Sequence, residues 1–301
     1  MNGPILITLD GSEFSEAALP WALEASQRLG VGLDVVSVAE PIPTLEYAEW
    51  NADAERWVAE YIDRIVGQCA GKAGGDVTGA GLAGQALDSI LNRADEVGAS
   101  CIVAATHGRG PMARAWLGSV ADGLLRTAGV PVLLVRPTEA DDYITAPAPE
   151  PGTVLVSLDG SRDSEAALEL ATTWARAFES KIHLVQVVTY PNEIASPYLP
   201  QTVALNRSAV EEAMGQAKEH ITAIAADLRG KGLEVAAHVT EDIHGPGGIV
   251  RIAEDVGAGL LVMATHGRGG IRRALLGSVT DKVVRSTDIP VLVTHVPHDG
   301  S

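Results

Sequence analysis

Two stretches of the chain concentrate the residue types that handle phosphate: ATHGRGPMARAWLGSV at 105–120 and ATHGRGGIRRALLGSV at 264–279, with twelve of sixteen positions identical. Gly108 and Gly118, or Gly267 and Gly277, would let backbone N–H groups approach an oxyanion closely. Ser119 with Asp122, and Ser278 with Asp281, form the S-x-x-D pattern of a helix N-terminus, whose open N–H groups and positive dipole end attract anions. Arg109 and Arg114 serve the first copy, and Arg268, Arg272 and Arg273 the second. A plainer reading fits the same residues: serines as N-caps, glycines for sharp turns, arginines solvated. The lysine of a P-loop is missing from both copies.

A second repeated element, ILITLDGSEFSEAALPWA at 5–22 and VLVSLDGSRDSEAALELA at 154–171, ends a hydrophobic run on Asp10 or Asp159. Either carboxylate can accept from a ribose hydroxyl, or it can close an Asx turn into the following segment. Asp10 with His107, or Asp159 with His266, has the residue types to activate water at a γ-phosphate. A histidine that follows a strand more often serves structure. His220, His238, His244, His295 and His298 lack ligand spacing and read as surface or packing residues. Cys69 and Cys101 show no zinc or thiol-redox spacing and read as reduced structural thiols.

The elements that must hold these residues follow from periodicity. In the first half, Val/Ile/Leu runs at 4–9, 33–39, 76–83, 100–105 and 130–136 predict strands. Helical spacing covers 14–29, 44–72, 86–97 and 119–128. The runs at 4–9, 100–105 and 130–136 hardly alternate, as expected of strands buried on both faces of a parallel sheet. The sequence therefore predicts two α/β domains, each doubly wound with a five-stranded, mostly parallel sheet and helices on both faces. They span 1–140 and 153–298, joined by a Pro- and acid-rich linker at 141–152. The offset between copies grows from 149 residues at the LDGS motifs to 159 at the loops, so the second half carries about ten extra residues. These fall within 190–232, where Pro191, Pro197 and Pro200 mark an irregular loop before a helix. In doubly wound sheets ligands bind beyond the carboxyl ends of the strands, at the point where strand order reverses. The helix at 44–72 carries Trp50, Trp57 and Tyr61 at helical spacing, which predicts core or inter-domain contact.

A net charge of −17 sets phosphate-backbone and anionic-membrane surfaces aside, since those are bound through clustered Lys and Arg. Residues 1–150 hold 9 basic and 21 acidic residues, and 151–301 hold 13 and 18, so charge favours the second half for an anion. No apolar run approaches the length of a membrane span, and the N-terminus lacks a signal-peptide pattern. A cytoplasmic location is expected.

In both halves the L-D-G-S strand end, the H-G followed by nine residues and G-S, the short helix and the P-V-L strand resemble the universal stress protein family in its tandem form. The resemblance covers 3–137 and 152–296, and it implies an ATP-binding regulator of stress adaptation, with Mg²⁺ on the phosphates. The family pattern is G-x-x-G, nine residues, then G-[ST]; its first glycine is replaced here by Ala105 and Ala264. The resemblance assigns Asp10, Val38, Ala105, His107, Gly108, Arg109, Gly118, Ser119 and Val120 to one adenine-nucleotide site. Asp159, Val187, Ala264, His266, Gly267, Arg268, Gly277, Ser278 and Val279 belong to the other. It also implies an intramolecular pseudo-dimer through the last strands, 130–136 and 289–295, and a homodimer as a further assembly. Two other functions stay open: a slow ATPase or nucleotidyl transferase, and a nucleotide-free interaction scaffold.

Overall fold

Strand β1 (Ile5–Thr8) is the centre from which the first half is built, and its Ile5, Leu6 and Ile7 are fully buried. The computed structural model describes residues 2–41, 48–106, 117–137, 143, 148–189, 200–243, 245–265 and 277–295. The chain divides into two compact units, Met1–Glu150 and Pro151–Ser301.

In the first unit β1 lies between β2 (Leu33–Ala39) and β4 (Cys101–Ala105), with β3 (Val77–Ala83) beyond β2 and β5 (Val132–Val135) beyond β4. All four pairings are parallel, giving the order β3-β2-β1-β4-β5. Strand order reverses between β1 and β4, so a crevice must open beyond their carboxyl ends. Helices α1 (Glu13–Glu16), α2 (Leu19–Leu29) and α3 (Ala48–Cys69) connect β1 to β2 and β2 to β3. Helices α4 (Ala86–Val97) and α5 (Ser119–Thr127) follow β3 and β4 and pack on each other. Bare backbone at Gly79 lets α3 lie close over β3: a Cβ there would stand 2.7 Å from both Ile62 and Val66.

The second unit repeats the plan with β6 (Thr153–Leu158), β7 (Lys181–Thr189), β8 (Val235–Asp242), β9 (Leu260–Thr265) and β10 (Val291–His295). Its pairings are again all parallel, in the order β8-β7-β6-β9-β10. The helices are α6 (Arg162–Ala177), α7 (Pro200–Gly230), α8 (Pro246–Asp255) and α9 (Ser278–Ser286). The registers correspond strand for strand: Ile5 pairs with Leu33 and Cys101, and Val154 with Ile182 and Leu260.

Three sequence expectations change. The helix expected over 14–29 is two, because Pro20 stands in the first turn of α2, where it has no N–H to donate back and its ring would crowd the carbonyl four residues earlier. The extra length of the second half falls within 190–232 as expected, most of it in α7, with 31 residues against 22 in α3, but Pro200 opens that helix instead of closing the loop before it. On α3, Tyr61 is buried as expected, but Trp50 and Trp57 are 55% and 48% exposed, with the Trp57 ring stacked on Tyr61.

Candidate functional site

The carboxyl ends of β1, β2 and β4 and the first turn of α5 enclose a pocket of about 230 Å³. Its lining includes Asp10, Val38, Ala105, Gly118, Ser119 and Val120, with Ala86 and Ile90 of α4 closing one side. Six of the nine residues expected at the first site are thus brought together. His107, Gly108, Arg109 and Arg114 lie outside the described residues, as do His266, Gly267, Arg268, Arg272 and Arg273 of the second copy.

Asp10 leaves β1 through a turn that only its sequence makes easy. Oδ1 accepts from the backbone N–H and the hydroxyl of Ser12, closing an Asx turn, while Gly11 takes φ +75°. Ser12 caps α1 by accepting from the Ser15 N–H. The second unit matches this: Ser161 donates twice to Asp159 Oδ1, Gly160 has φ +79°, and Ser161 accepts from the Ser164 N–H. The Asx-turn role is therefore real in both copies. In the first it also holds an exposed carboxylate at the pocket wall.

The helix that follows each glycine-rich loop begins differently from the S-x-x-D expectation. Gly118 and Gly277 are the N-caps, Ser119 and Ser278 are the first helical residues, and neither end has a side-chain cap. Asp122 and Asp281 turn instead to the arginine four residues on, Arg126 at 2.7 Å and Arg285 at 2.9 Å. Around the pocket the contrast with α4 is instructive: the Ala86 N–H already donates to the Glu40 carboxylate at 2.9 Å. Of the two helix N-termini lining the pocket, the uncapped α5 is the one suited to an anion. The loop is closed at its base, where the Gly118 N–H donates to the Thr106 carbonyl.

Two glycine questions resolve through backbone angles. Ala105 and Ala264 lie in strands with ordinary negative φ, so the alanines that replace the family's glycine cost no backbone strain. Gly118 and Gly277 have φ of −60° and −56°, which any residue adopts. At Gly277 a Cβ would meet only Thr280 Oγ1, at 3.8 Å, among the described residues. Neither backbone angle nor this contact calls for glycine at 277 among the described residues.

Val38 and Val187 both lie near the ends of their strands, as expected. Val38 lines the pocket, whereas Val187 is covered by α8, where a Cβ on Gly248 would stand 3.0 Å from it. Asp242 carries the entry to α8 by accepting from the Gly245 N–H, matching Glu40 in the first unit. Val279 stays 37% exposed at the start of α9.

Titratable groups away from the pocket are mostly structural. Burial pushes the Cys69 thiol up to about 11 and the Cys101 thiol to about 12, and neither forms a disulfide. Burial, reinforced by Glu16, raises the Tyr61 phenol, which donates to that carboxylate at 2.9 Å. One pair escaped the reading of sequence: His238 Nε2 lies 3.0 Å from His183 Nδ1. Histidines 55 residues apart carry no local signal, and only aligning the two halves shows His183 at the position of Asp34.

Comparison with known proteins agrees with this architecture. A universal stress protein of Mycobacterium bovis is 30% identical over 324 residues, covering 99% of this chain and 96% of that protein. One of Mycobacterium tuberculosis is 27% identical over 298 residues, covering 96% of each. The crystal structure of a universal stress protein from Archaeoglobus fulgidus shares the fold, with a TM-score of 0.72 at 22% identity and 98% coverage of both chains. Among the described residues no helix is long and apolar enough to cross a membrane. The universal stress protein family model matches twice, over 1–136 and 151–295, and the chain belongs to that family as a protein of two such domains.

Proposed function

We propose that the chain is an ATP-binding regulator whose two units each hold an adenine nucleotide at the carboxyl ends of their strands. The observation that carries this reading is the meeting, in one pocket of about 230 Å³, of the uncapped first turn of α5 with the Asp10 carboxylate. Phosphate suits the helix end, a ribose hydroxyl suits Asp10, and an adenine ring suits the apolar wall of Val38 and Ile90. A helix N-terminus that already had its side-chain cap would have spoken for the plainer reading.

Among the described residues no group of three His, Cys, Asp or Glu side chains converges, and Mg²⁺ in this reading is held by the phosphates. It would neutralise phosphate charge in a protein of net charge −17. Signalling then follows from population shift: bound nucleotide favours one arrangement of the site, and a partner senses the altered surface. The test is nucleotide released by acid from freshly purified protein, counted per chain, followed by calorimetry with Mg·ATP. Close to two per chain supports the reading. None, with no calorimetric binding, sinks it in favour of a scaffold. ATP turnover that disappears in Asp10→Ala/Asp159→Ala while binding persists would move the chain to the enzymes.

A further inference from the structure

His183 on β7 and His238 on β8 stack with ring centroids 5.0 Å apart and planes 20° from parallel, joined by one N···N hydrogen bond of 3.0 Å. One ring must donate and the other accept, so the contact needs at least one unprotonated nitrogen. A first proton can be shared across such a pair; a second removes the acceptor and sets two cations side by side. The place matters. His183 pairs with Leu155 and Ala236, as Asp34 pairs with Leu6 and Thr78. There the first unit keeps a fixed ion pair, Asp34 with Arg93 at 2.9 Å, and Ile252 occupies the matching helix position in the second.

We propose that the His183–His238 pair is an acid-sensitive latch on the second unit: double protonation loosens β7 from β8, displaces Val187 and α8, and releases nucleotide from that unit alone. The release step rests on the nucleotide-binding reading above; the loosening does not. The path is short. Val187 stands four residues beyond His183 on the same strand, packed under Gly248, and β8 ends at Asp242, which holds the first turn of α8 through the Gly245 N–H. β8 has β7 as its only strand neighbour among the described residues of the unit, so no second ladder holds it.

The charges around the pair do not rescue a doubly protonated state. Lys181, on the same strand, is bound to Glu234 at 2.7 Å, and these two act on His183 in opposite directions. From α8, Arg251 donates to Thr240 Oγ1 and to the Glu241 carbonyl and lies 4.0 Å from Asp242, while Asp255 is exposed. On the inner side β6 presents Leu155 opposite His183. Burial lowers the proton affinity of both rings, and for His183 the neighbouring His238 adds to it. With folded values below the unfolded one of about 6.5, the unfolded chain binds protons first. The stabilisation is therefore whole above that value and is lost as pH falls from it toward the folded values.

The experiment uses the full chain at about pH 7.5 and about pH 5.5, either side of the ordinary histidine range. Amide exchange, divided by the intrinsic rate at each pH, is measured over 181–189 and 235–242 and compared with 33–39 and 77–83, alongside calorimetric counting of bound Mg·ATP. At the lower pH, exchange in β7 and β8 should rise severalfold while β2 and β3 stay protected. Bound ATP should fall from two to one per chain. His183→Asn/His238→Asn, whose amides can hydrogen-bond without titrating, should abolish both changes. If that variant fails to fold, His183→Asp/Ala236→Thr/His238→Ala/Ile252→Arg transplants the arrangement of the first unit and should do the same. Unchanged protection in the natural chain overturns the latch, as does an acid response that persists in the variants. A response in exchange with ATP retained at two per chain overturns the link to the site. A chain that binds no ATP at either pH overturns the nucleotide reading, and exchange alone then decides the latch.

Discussion

The two units share their registers, their Asp-Gly-Ser turns and the uncapped helix after the loop, yet the bonds that hold corresponding strands and helices together differ. Under α4 the first unit buries Asp34 completely, satisfied by Arg93 through two hydrogen bonds of 2.9 Å and by the Thr78 hydroxyl at 2.6 Å. At the matching places the second unit has His183, stacked on His238, and an isoleucine. The lesson is that the backbone plan tolerates opposite chemistries at one position, while the turn that presents Asp10 or Asp159 is built from the same atoms both times. The two units thus differ in the support beneath their helices and agree at the turn that follows the first strand.

The largest expected effect breaks this comparison at its buried charge. Arg93→Leu leaves the Asp34 carboxylate, at 0% exposure, without its counter-ion, and should cost the first unit about 3–5 kcal/mol. Ile252→Leu at the matching place should cost under about 1.5 kcal/mol, since volume and polarity are kept. Chemical denaturation followed by exchange in each unit measures both. Equal losses would mean that the carboxylate finds another partner and that the two supports are interchangeable.

Next in size is the helix after the first strand. Glu169 stands where Pro20 does, and α6 runs unbroken over sixteen residues while the first unit splits the same stretch in two. Glu169→Pro should cost about 3 kcal/mol, through the lost hydrogen bond and the ring clash, and divide α6 as the first unit is divided. Thermal unfolding and helix content by circular dichroism test it; a neutral outcome would mean that α6 is held by packing alone.

Much of this was legible in sequence because it is repeated there. Strands with near-continuous apolar runs, such as Cys101–Ala105, and the Asp-Gly-Ser turns announce themselves locally, and two aligned copies correct each other. The split at Pro20 was also written in the sequence, but apolar periodicity over 14–29 outweighed a single residue. The exposure of Trp50 and Trp57 was not legible, since helical spacing identifies a face without saying what covers it. The His183–His238 contact depends on strand register, which no local pattern encodes. Charge ranked the second unit first for an anion, through arginines that lie outside the described residues, whereas the described pocket belongs to the first.

That conflict gives the third prediction. Gly118→Val should lower ATP affinity at least about tenfold, or about 1.4 kcal/mol, by placing a side chain where phosphate must approach. It should do so more strongly than Gly277→Val if the pocket, and not the charge split, sets occupancy. Calorimetry on each variant decides, and the opposite ranking would return the second unit to first place.

The smallest effect sharpens what the two units share. Had Ser119 been the N-cap of α5, Ser119→Ala would cost about 1 kcal/mol of stability. As the first helical residue, beside a Gly118 cap with no side-chain bond, its hydroxyl holds no helix N–H, and the change should stay within about 0.5 kcal/mol. Nucleotide affinity should nevertheless fall, because Ser119 lines the pocket. Ser278→Ala should behave alike, since α9 begins the same way. Stability and affinity moving together in either variant would restore the serine to a capping role and remove one support from the phosphate reading; moving apart, they assign the serine to the ligand and not to the fold.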